Sequence, residues 1–334
     1  MKLRDGSIIK AAVFVDIKKI VYKEDYPKPI PGPDDVIVKT EYCGICGSDI
    51  TNFKFKMYQV PLIMGHEFTG EVVQIGKEVT GVKIGEKVCG INVSLDLSQG
   101  ELRGLGIFED GGFAEYVKVP TKYLFRIPQG ITTKEAVMIE SFANAARGTR
   151  LSNIGNNQKI VIIGAGNIGL CFLKYLLSER KPKYIAIVEP HSFLRDKAKE
   201  FGASEAFPPI MSRMKKFFKE NGTPDYVFDC AGNEKTLKMA LDLVKKGGTI
   251  LLEGVYKGNV TIPMFLINSK EVCIKGVLGH DREDIFNSIN FFAQKKVDAG
   301  EFITKIVQLK KTQEAFEKFT NQVDRNFIKM VIKF

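Results

Sequence analysis

Two short segments of this sequence carry side chains that bind transition metals. Cys43 and Cys46 form a C-x-x-C pair, and a second segment supplies His66 and Glu67. Alone, a C-x-x-C pair suggests a structural zinc or a redox couple. A structural zinc needs a second pair, and a redox couple opens a helix in a βαβ unit, whereas short strands and turns surround this pair. The residues themselves therefore support neither interpretation well.

A glycine-rich turn is the second pattern with chemical meaning. It follows an apolar run at 160–163 and opens a helical segment. Its first glycine permits a sharp turn, its second lets the backbone approach a pyrophosphate, and its third allows close helix packing. The pattern is weak evidence alone, but between a buried strand and a helix it predicts a dinucleotide site. The predicted cofactor residues of this turn are Gly164, Gly166, Asn167, Ile168 and Gly169.

Glu189 ends the second apolar run of this region and bears on the choice of cofactor. A carboxylate there is expected to accept hydrogen bonds from the adenosine ribose hydroxyls, which points to NAD. A 2′-phosphate would face a like charge, at a cost on the order of one to several kcal/mol before screening. Arg195 and His191 soften that repulsion, so NADP is disfavoured without being excluded. The alternative is an ordinary surface glutamate at a strand end.

The elements that must position these residues are of two kinds. The first 140 residues consist of short predicted strands between turn residues, in segments near Asp35, Gly70 and Phe113. From about Lys159, apolar runs alternate with helical stretches, which indicates βαβ units and a parallel sheet. The runs are 160–163, 184–188, 226–229, 249–252 and 271–274. A helix near 284–294 and a strand at 329–334 follow.

Length, charge and cysteine usage exclude several classes of protein. A chain of 334 residues predicts two domains. The formal net charge is +10, but the lysine doublets are scattered and no nucleic-acid module is present, so no nucleic-acid partner is expected. No signal-peptide core and no bilayer-spanning segment is found, so no membrane partner is expected. The six cysteines are sparse, which fits a reducing, cytoplasmic setting.

Taken together, the motifs resemble those of the zinc-dependent alcohol dehydrogenases of the medium-chain dehydrogenase/reductase superfamily. The matching segments are 27–33, 43–49, 65–70, 111–117 and the glycine-rich turn. The resemblance runs nearly end to end and implies an α/β protein, with a Rossmann doubly wound parallel sheet plus a β-rich GroES-like catalytic domain. The implied domains are catalytic at 1–145, NAD-binding at 146–280 and a C-terminal return to the catalytic domain at 281–334.

The resemblance implies one catalytic zinc per chain, held by Cys46, His66, Glu67 and Glu140. The family's carboxylate at the position of Glu67 is a direct zinc ligand in some members and a neighbouring group in others. Glu140 stands where the polyol and threonine branches carry a glutamate. Cys43 is implied to be a bystander.

The implied reaction moves a hydride between a zinc-bound alkoxide and NAD. Zinc with about three protein ligands keeps an open position, as in known alcohol dehydrogenases. Ser48 resembles the hydroxyl that takes the alcohol's proton, and Asp49 the carboxylate that orients the histidine ligand. A turn residue and a helix cap are the alternatives for these two. The further residues implied to contact the cofactor are Arg195, Val255 and Lys329, although a lysine in a C-terminal strand is more often exposed.

Three departures from the family pattern stand out. Thr51 occupies a position where many relatives have a histidine, which leaves the proton's exit route open. Ser141 replaces the usual proline. Between Val88 and Asp110 the sequence offers only Cys89, where most relatives have four closely spaced cysteines, so a second, structural zinc is expected to be absent.

Two alternative functions stay open from the sequence. One is a zinc-free quinone or enoyl reductase of the same superfamily, against which Cys46, His66 and Glu140 argue. The other is a non-enzymatic nucleotide-binding protein that keeps the fold. The predicted substrate is a polyol, sugar or other secondary alcohol, because Glu140 beside Glu67 makes a hard, oxygen-rich site. The expected assembly is a homodimer or homotetramer.

Overall fold

The computed structural model describes residues 6–92, 104–321 and 325–334. Contacts divide the chain into two compact units. The first, here the metal unit, joins Met1–Glu140 to Ile289–Val323 and Phe327–Phe334; the second, the cofactor unit, joins Ser141–Ser288 to Asp324–Asn326. These limits lie a few residues from the predicted domain boundaries, which stay a prediction.

Strands form the sheets of the metal unit and the centre of the cofactor unit. In chain order they are β1 (Ile8–Asp16), β2 (Lys19–Pro27), β3 (Asp35–Gly44), β4 (Leu62–Ile63), β5 (Glu67–Ile75), β6 (Lys87–Ile91), β7 (Tyr116–Pro120), β8 (Leu124–Arg126), β9 (Lys159–Ile163), β10 (Tyr184–Val188), β11 (Glu205–Phe207), β12 (Tyr226–Asp229), β13 (Thr249–Leu252), β14 (Cys273–Gly276), β15 (Ile303–Gln308) and β16 (Lys329–Lys333).

The longest helices lie mainly in the cofactor unit. They are α1 (Gly47–Phe55), α2 (Thr133–Ala136), α3 (Ile139–Ser152), α4 (Asn167–Glu179), α5 (Ser192–Glu200), α6 (Met211–Asn221), α7 (Glu234–Leu243), α8 (Met264–Lys270), α9 (Arg282–Ala293) and α10 (Thr312–Thr320). Among the described residues, none of the helices has both the length and the apolar character needed to cross a bilayer.

The cofactor unit is built on one six-stranded parallel sheet. Its strand order is β11-β10-β9-β12-β13-β14, which is the 3-2-1-4-5-6 order of a Rossmann fold. The runs at 184–188, 226–229 and 249–252 become β10, β12 and β13, because strands covered on both faces are apolar throughout. The predicted fold class is confirmed. The order in which strands are added to the sheet reverses at β9, and dinucleotides bind at such a reversal point.

The metal unit contains a three-stranded and a seven-stranded sheet. The larger one has the order β15-β16-β3-β5-β6-β8, and β7 also pairs with β3. Its core includes the rings of Phe53, Phe113 and Phe316, which pack at 5.2–5.8 Å between centroids.

Candidate metal and cofactor sites

Strand pairing gathers the metal-binding segments at one end of β3. That strand runs antiparallel to both β5 and β16, with Cys43 opposite Phe68 and Gly44 opposite Val331. The end of β3 therefore lies beside the beginnings of its two neighbours. Cys46 follows β3 by two residues, while Glu67 and Lys329 open β5 and β16.

Gly44 leaves the space that this arrangement needs. A Cβ atom on this residue would collide with the Glu67 carboxylate and come within 2.8 Å of Cε of Lys329. Any larger residue would push these two side chains apart. The first glycine of the Cys43–Asp49 segment is thus explained by packing at the metal site.

Three side chains of different chemistry converge here. One ligand atom each of Cys46, His66 and Glu67 lies within 4.8 Å of the other two. Thiolate sulphur, imidazole nitrogen and carboxylate oxygen are the donors that zinc takes in proteins, and three protein donors leave a coordination position open. The residues present therefore fit a catalytic zinc ion.

Asp49 and Ser48 lie on either side of the His66 ring. Asp49 is fully buried; its Oδ2 accepts a hydrogen bond from the Cys46 amide at 2.9 Å, and its Oδ1 lies 3.5 Å from His66 Nδ1. Ser48 Oγ lies 3.3 Å from His66 Nε2. Asp49 therefore makes both contacts suggested by the sequence: it caps the beginning of α1, and it faces the His66 ring. The nitrogen that faces Ser48 is left for a metal.

The carboxylates change the protonation of the site. Burial acts to lower the pKa of His66, but the charges of Asp49 and Cys46 and their hydrogen bonds to the ring together raise that pKa well above its usual value. Burial, together with the charge of Glu67, raises the pKa of Glu140 to about 8. With a pKa of about 8, Glu140 holds a proton at neutral pH when no metal is bound. A metal binds His66 in its neutral form, so protons compete with the metal at this site.

Lys329 takes a place that the sequence did not predict. It is buried, with 1% of its surface exposed, and it forms an ion pair with Glu67. Burial lowers its pKa, but Glu67, Cys46 and Glu140 together raise it by more, so Lys329 stays charged. The alternative of an exposed lysine is therefore wrong. Its role at the cofactor stays a prediction, as do the other site residues predicted from the sequence.

Cys43 lies in the core beneath the site. Burial raises the pKa of its thiol, which stays protonated and fully covered. This environment agrees with a bystander. Residues 93–103, part of the stretch for which no second zinc was predicted, lie outside the described residues.

The glycine-rich turn has the geometry of a phosphate-binding loop. Gly164 has a φ of +98°, and a Cβ atom at Gly169 would collide with the Gly164 carbonyl oxygen. Gly166 is the N-cap of α4, so the free amides of that helix begin here. Asn167 donates a hydrogen bond to Ser141 Oγ at 2.7 Å, which ties the beginning of α4 to α3.

Glu189 is held by the backbone on both carboxylate oxygens. They accept hydrogen bonds from the amides of Ala165 at 2.9 Å and His191 at 3.0 Å. The side chain is buried, so the alternative of a surface glutamate is wrong. The Arg195 guanidinium donates to the Glu189 carbonyl at 2.9 Å, and Val255 follows β13 by three residues with 52% of its surface exposed.

Two family models match this chain, one within the metal unit and the other mainly within the cofactor unit. Residues 32–129 match the alcohol dehydrogenase GroES-like domain, and residues 167–294 match the zinc-binding dehydrogenase domain. The chain belongs to the zinc-dependent medium-chain alcohol dehydrogenase family. This membership confirms the predicted family and a zinc- and nicotinamide-dependent oxidoreductase, and it sets aside the zinc-free and non-enzymatic alternatives.

Individual members of this family are similar over nearly the whole chain. L-threonine 3-dehydrogenase of Shewanella baltica (strain OS185) is 27% identical, over 92% of this chain and 96% of its own. A protein classed as a zinc-binding dehydrogenase, from Sinorhizobium meliloti and solved with NADP, is 27% identical with a TM-score of 0.88, over 98% and 100% of the chains. An alcohol dehydrogenase from E. coli CFT073, solved with NADH, is 26% identical with the same TM-score, over 98% and 99%.

Proposed function

We propose that this enzyme oxidises a polyol, a sugar or another hydroxylated secondary alcohol with NAD. The observation that carries the proposal is the donor cluster, in which a single thiol is joined by Glu67 and, beside it, Glu140. Oxygen-rich sites favour a metal that exchanges water and chelates oxygen ligands. Neighbouring hydroxyls of one substrate suit such a site better than a long apolar chain does. The similarity to threonine dehydrogenases supports the same class.

The chain's own residues supply the proton chemistry of the proposed reaction. A bound zinc ion would acidify the alcohol, and the nicotinamide would accept the hydride. Ser48 Oγ, 3.3 Å from His66 Nε2, would accept a hydrogen bond from the alcohol's hydroxyl and pass its proton on. Asp49 keeps the imidazole in the required orientation, and the buried Lys329 balances the charge of Glu67.

We expect hydroxylated substrates to exceed simple alcohols in kcat/KM by about tenfold or more, because a site that binds a hydroxyl discriminates against analogues that lack it. The measurement is NAD reduction by the zinc-loaded enzyme over polyols, sugars, hydroxy-amino acids, butanol and hexanol. Glu140→Gln should reduce the ratio of kcat/KM for hydroxylated substrates to that for simple alcohols. Glu200→Gln, at an exposed glutamate, should leave this ratio unchanged. Higher kcat/KM for butanol or hexanol than for every hydroxylated compound would overturn the substrate class but not the dehydrogenase activity.

We expect NAD to be preferred over NADP by roughly tenfold or more, since a 2′-phosphate would face the Glu189 carboxylate at a cost of one to several kcal/mol. The measurement is kcat/KM for both cofactors with the same alcohol. Glu189→Gln removes the charge and should reduce the ratio of kcat/KM for NAD to that for NADP, whereas Glu205→Gln, at a half-buried glutamate on β11, is the control. An advantage for NADP, or an unchanged ratio in Glu189→Gln, contradicts this role of Glu189.

We also propose a homo-oligomer, a dimer or tetramer, in a reducing cytoplasmic setting. β14 is the outer strand of its sheet, with Cys273 exposed, and Phe265 on the preceding helix has 82% of its surface exposed. An open strand edge beside exposed apolar groups favours pairing with a second copy.

The cysteines support the proposed location. All six are free thiols, which fits a reducing setting. Sedimentation of a monomer at assay concentrations would contradict the assembly, and recovery in a membrane or secreted fraction would contradict the location.

A further inference from the structure

Tyr256 lies in the loop that follows β13, here the β13 loop (253–257), and it is bonded to a carboxylate on the neighbouring strand. Its hydroxyl donates a hydrogen bond to Oδ2 of Asp229, the last residue of β12. Asp229 is fully buried and Tyr256 is half-buried. Burial and the Asp229 carboxylate raise the pKa of Tyr256, so the phenol keeps its proton and stays the donor.

The Asp229 carboxylate also holds a second loop, here the β12 loop (230–233). Its Oδ1 accepts hydrogen bonds from the amides of Ala231 at 2.9 Å and Gly232 at 3.1 Å. Hydrogen bonds to an ionised acceptor are stronger than those between neutral groups. One buried carboxylate therefore fixes the position of the β13 loop relative to the β12 loop.

The β12 loop packs directly against the β13 loop on one side and the glycine-rich turn on the other. A Cβ atom built on Gly232 would lie 2.5 Å from the carbonyl carbon of Gly254, and one built on Gly164 would lie 3.5 Å from the amide nitrogen of Ala231. At Gly232 the two backbones are too close for any side chain. The place of the β13 loop is therefore coupled to that of the turn at which the cofactor phosphates are expected.

The strand order indicates which half of the cofactor the β13 loop serves. The two halves of a Rossmann sheet bind the two halves of a dinucleotide. Glu189, predicted to bind the adenosine ribose, follows β10 on one side of β9, whereas β12 and β13 lie on the other side. Their loops are thus left for the nicotinamide half. Val255, predicted to contact the cofactor, has 52% of its surface exposed, and the residue after it is the anchored Tyr256.

We propose that the hydrogen bond from Tyr256 to Asp229 positions the β13 loop for the nicotinamide half of the cofactor. Tyr256 is a positioning residue, which acts through Val255 and the backbone of its loop. Without the hydroxyl, one buried oxygen of Asp229 loses this donor and the loop is released. Only a fraction of the molecules would then hold the loop in the place that binding requires. The inference rests on the cofactor site described above.

The test is calorimetric titration of the full-length protein with NAD and with ADP-ribose, which lacks only the nicotinamide. Tyr256→Phe is expected to weaken NAD by roughly 5- to 50-fold and ADP-ribose by less than about twofold, because one hydrogen bond to a charged group is lost at the nicotinamide half alone. The kcat with the best alcohol should fall as well, since the reacting ring is less precisely placed.

Tyr184→Phe is the matched control. Tyr184 opens β10, at the opposite edge of the same sheet, and its hydroxyl donates to the Gly222 carbonyl at 2.7 Å. Its replacement also removes one hydroxyl hydrogen bond, but NAD affinity should stay within about twofold of the original, because the bond lies away from the carboxyl ends of the strands. Asp229→Asn keeps a weaker, neutral hydrogen bond to the phenol and should weaken NAD by at least about twofold, but less than Tyr256→Phe does.

Three outcomes would overturn the proposal. Unchanged NAD affinity in Tyr256→Phe shows that the hydrogen bond does not position the loop. An equal loss for ADP-ribose assigns Tyr256 to general support of the cofactor unit, and an equal loss of NAD affinity in Tyr184→Phe shows that binding only follows stability. If Tyr256→Phe does not fold, Asp229→Asn decides by the same comparison of NAD with ADP-ribose. Failure of the unaltered protein to bind ADP-ribose would count against the cofactor site itself, so the two failures are distinguishable.

Discussion

Cys46→Ala and His66→Ala are each expected to lower kcat/KM by at least about 10³-fold and to release the zinc. Each variant removes one of three converging donors, and the metal contributes several kcal/mol to the reaction, at about 1.4 kcal/mol for each factor of ten. The measurements are kcat/KM for the best substrate and the zinc content of the protein after gel filtration. The kcat/KM and the zinc content should fall together, because each variant loses activity by losing its zinc ion.

Cys43→Ala is the matched control for these variants. Cys43 is a thiol from the same short segment, but it is buried in the core and stays protonated. Its replacement removes one sulphur atom from the packing and should leave zinc content unchanged and kcat/KM within a few-fold of the original. Full zinc content and turnover in Cys46→Ala, or loss of both in Cys43→Ala, would show that the ligand has been assigned to the wrong cysteine.

Lys329→Met is expected to destabilise the metal-free protein by about 3–5 kcal/mol, the usual cost of removing one partner of a buried ion pair. Glu67 would then be left buried without its cation and next to Glu140. The measurement is chemical or thermal unfolding in the presence of a chelator. Adding Glu67→Gln to Lys329→Met should recover much of the loss, because it removes the uncompensated charge.

Lys333→Met is the control for this prediction. It lies on the same strand, β16, but is exposed, so its replacement should change the free energy of unfolding by no more than about 0.5 kcal/mol. Equal stability of Lys329→Met and the unaltered protein would mean that the ion pair does not support the fold. A loss that Glu67→Gln does not relieve would assign the effect of Lys329 to packing alone.

The long-range partners of both sites were not predictable from the sequence. Lys329 and Glu67 are far apart in the chain and meet only because β16 and β5 lie on either side of β3. No local pattern records that pairing. Arg325 has no motif around it, yet its guanidinium nitrogens lie within 3.4–3.6 Å of the position that a Cβ atom on Gly166 would take. The edge strand β11 was also missed, since three residues give too short an apolar run.

Local chemistry, by contrast, was evident from the sequence alone. The turn around Gly164 needs backbone conformations that only glycine adopts easily, and buried parallel strands need unbroken apolar runs, so both leave a pattern in the residues themselves. The tertiary structure decided which charges compensate one another: Asp49 with His66, Lys329 with Glu67, and Arg325 with Glu189. Electrostatic energies depend on distance and burial, and those quantities exist only once strands from distant parts of the chain have paired.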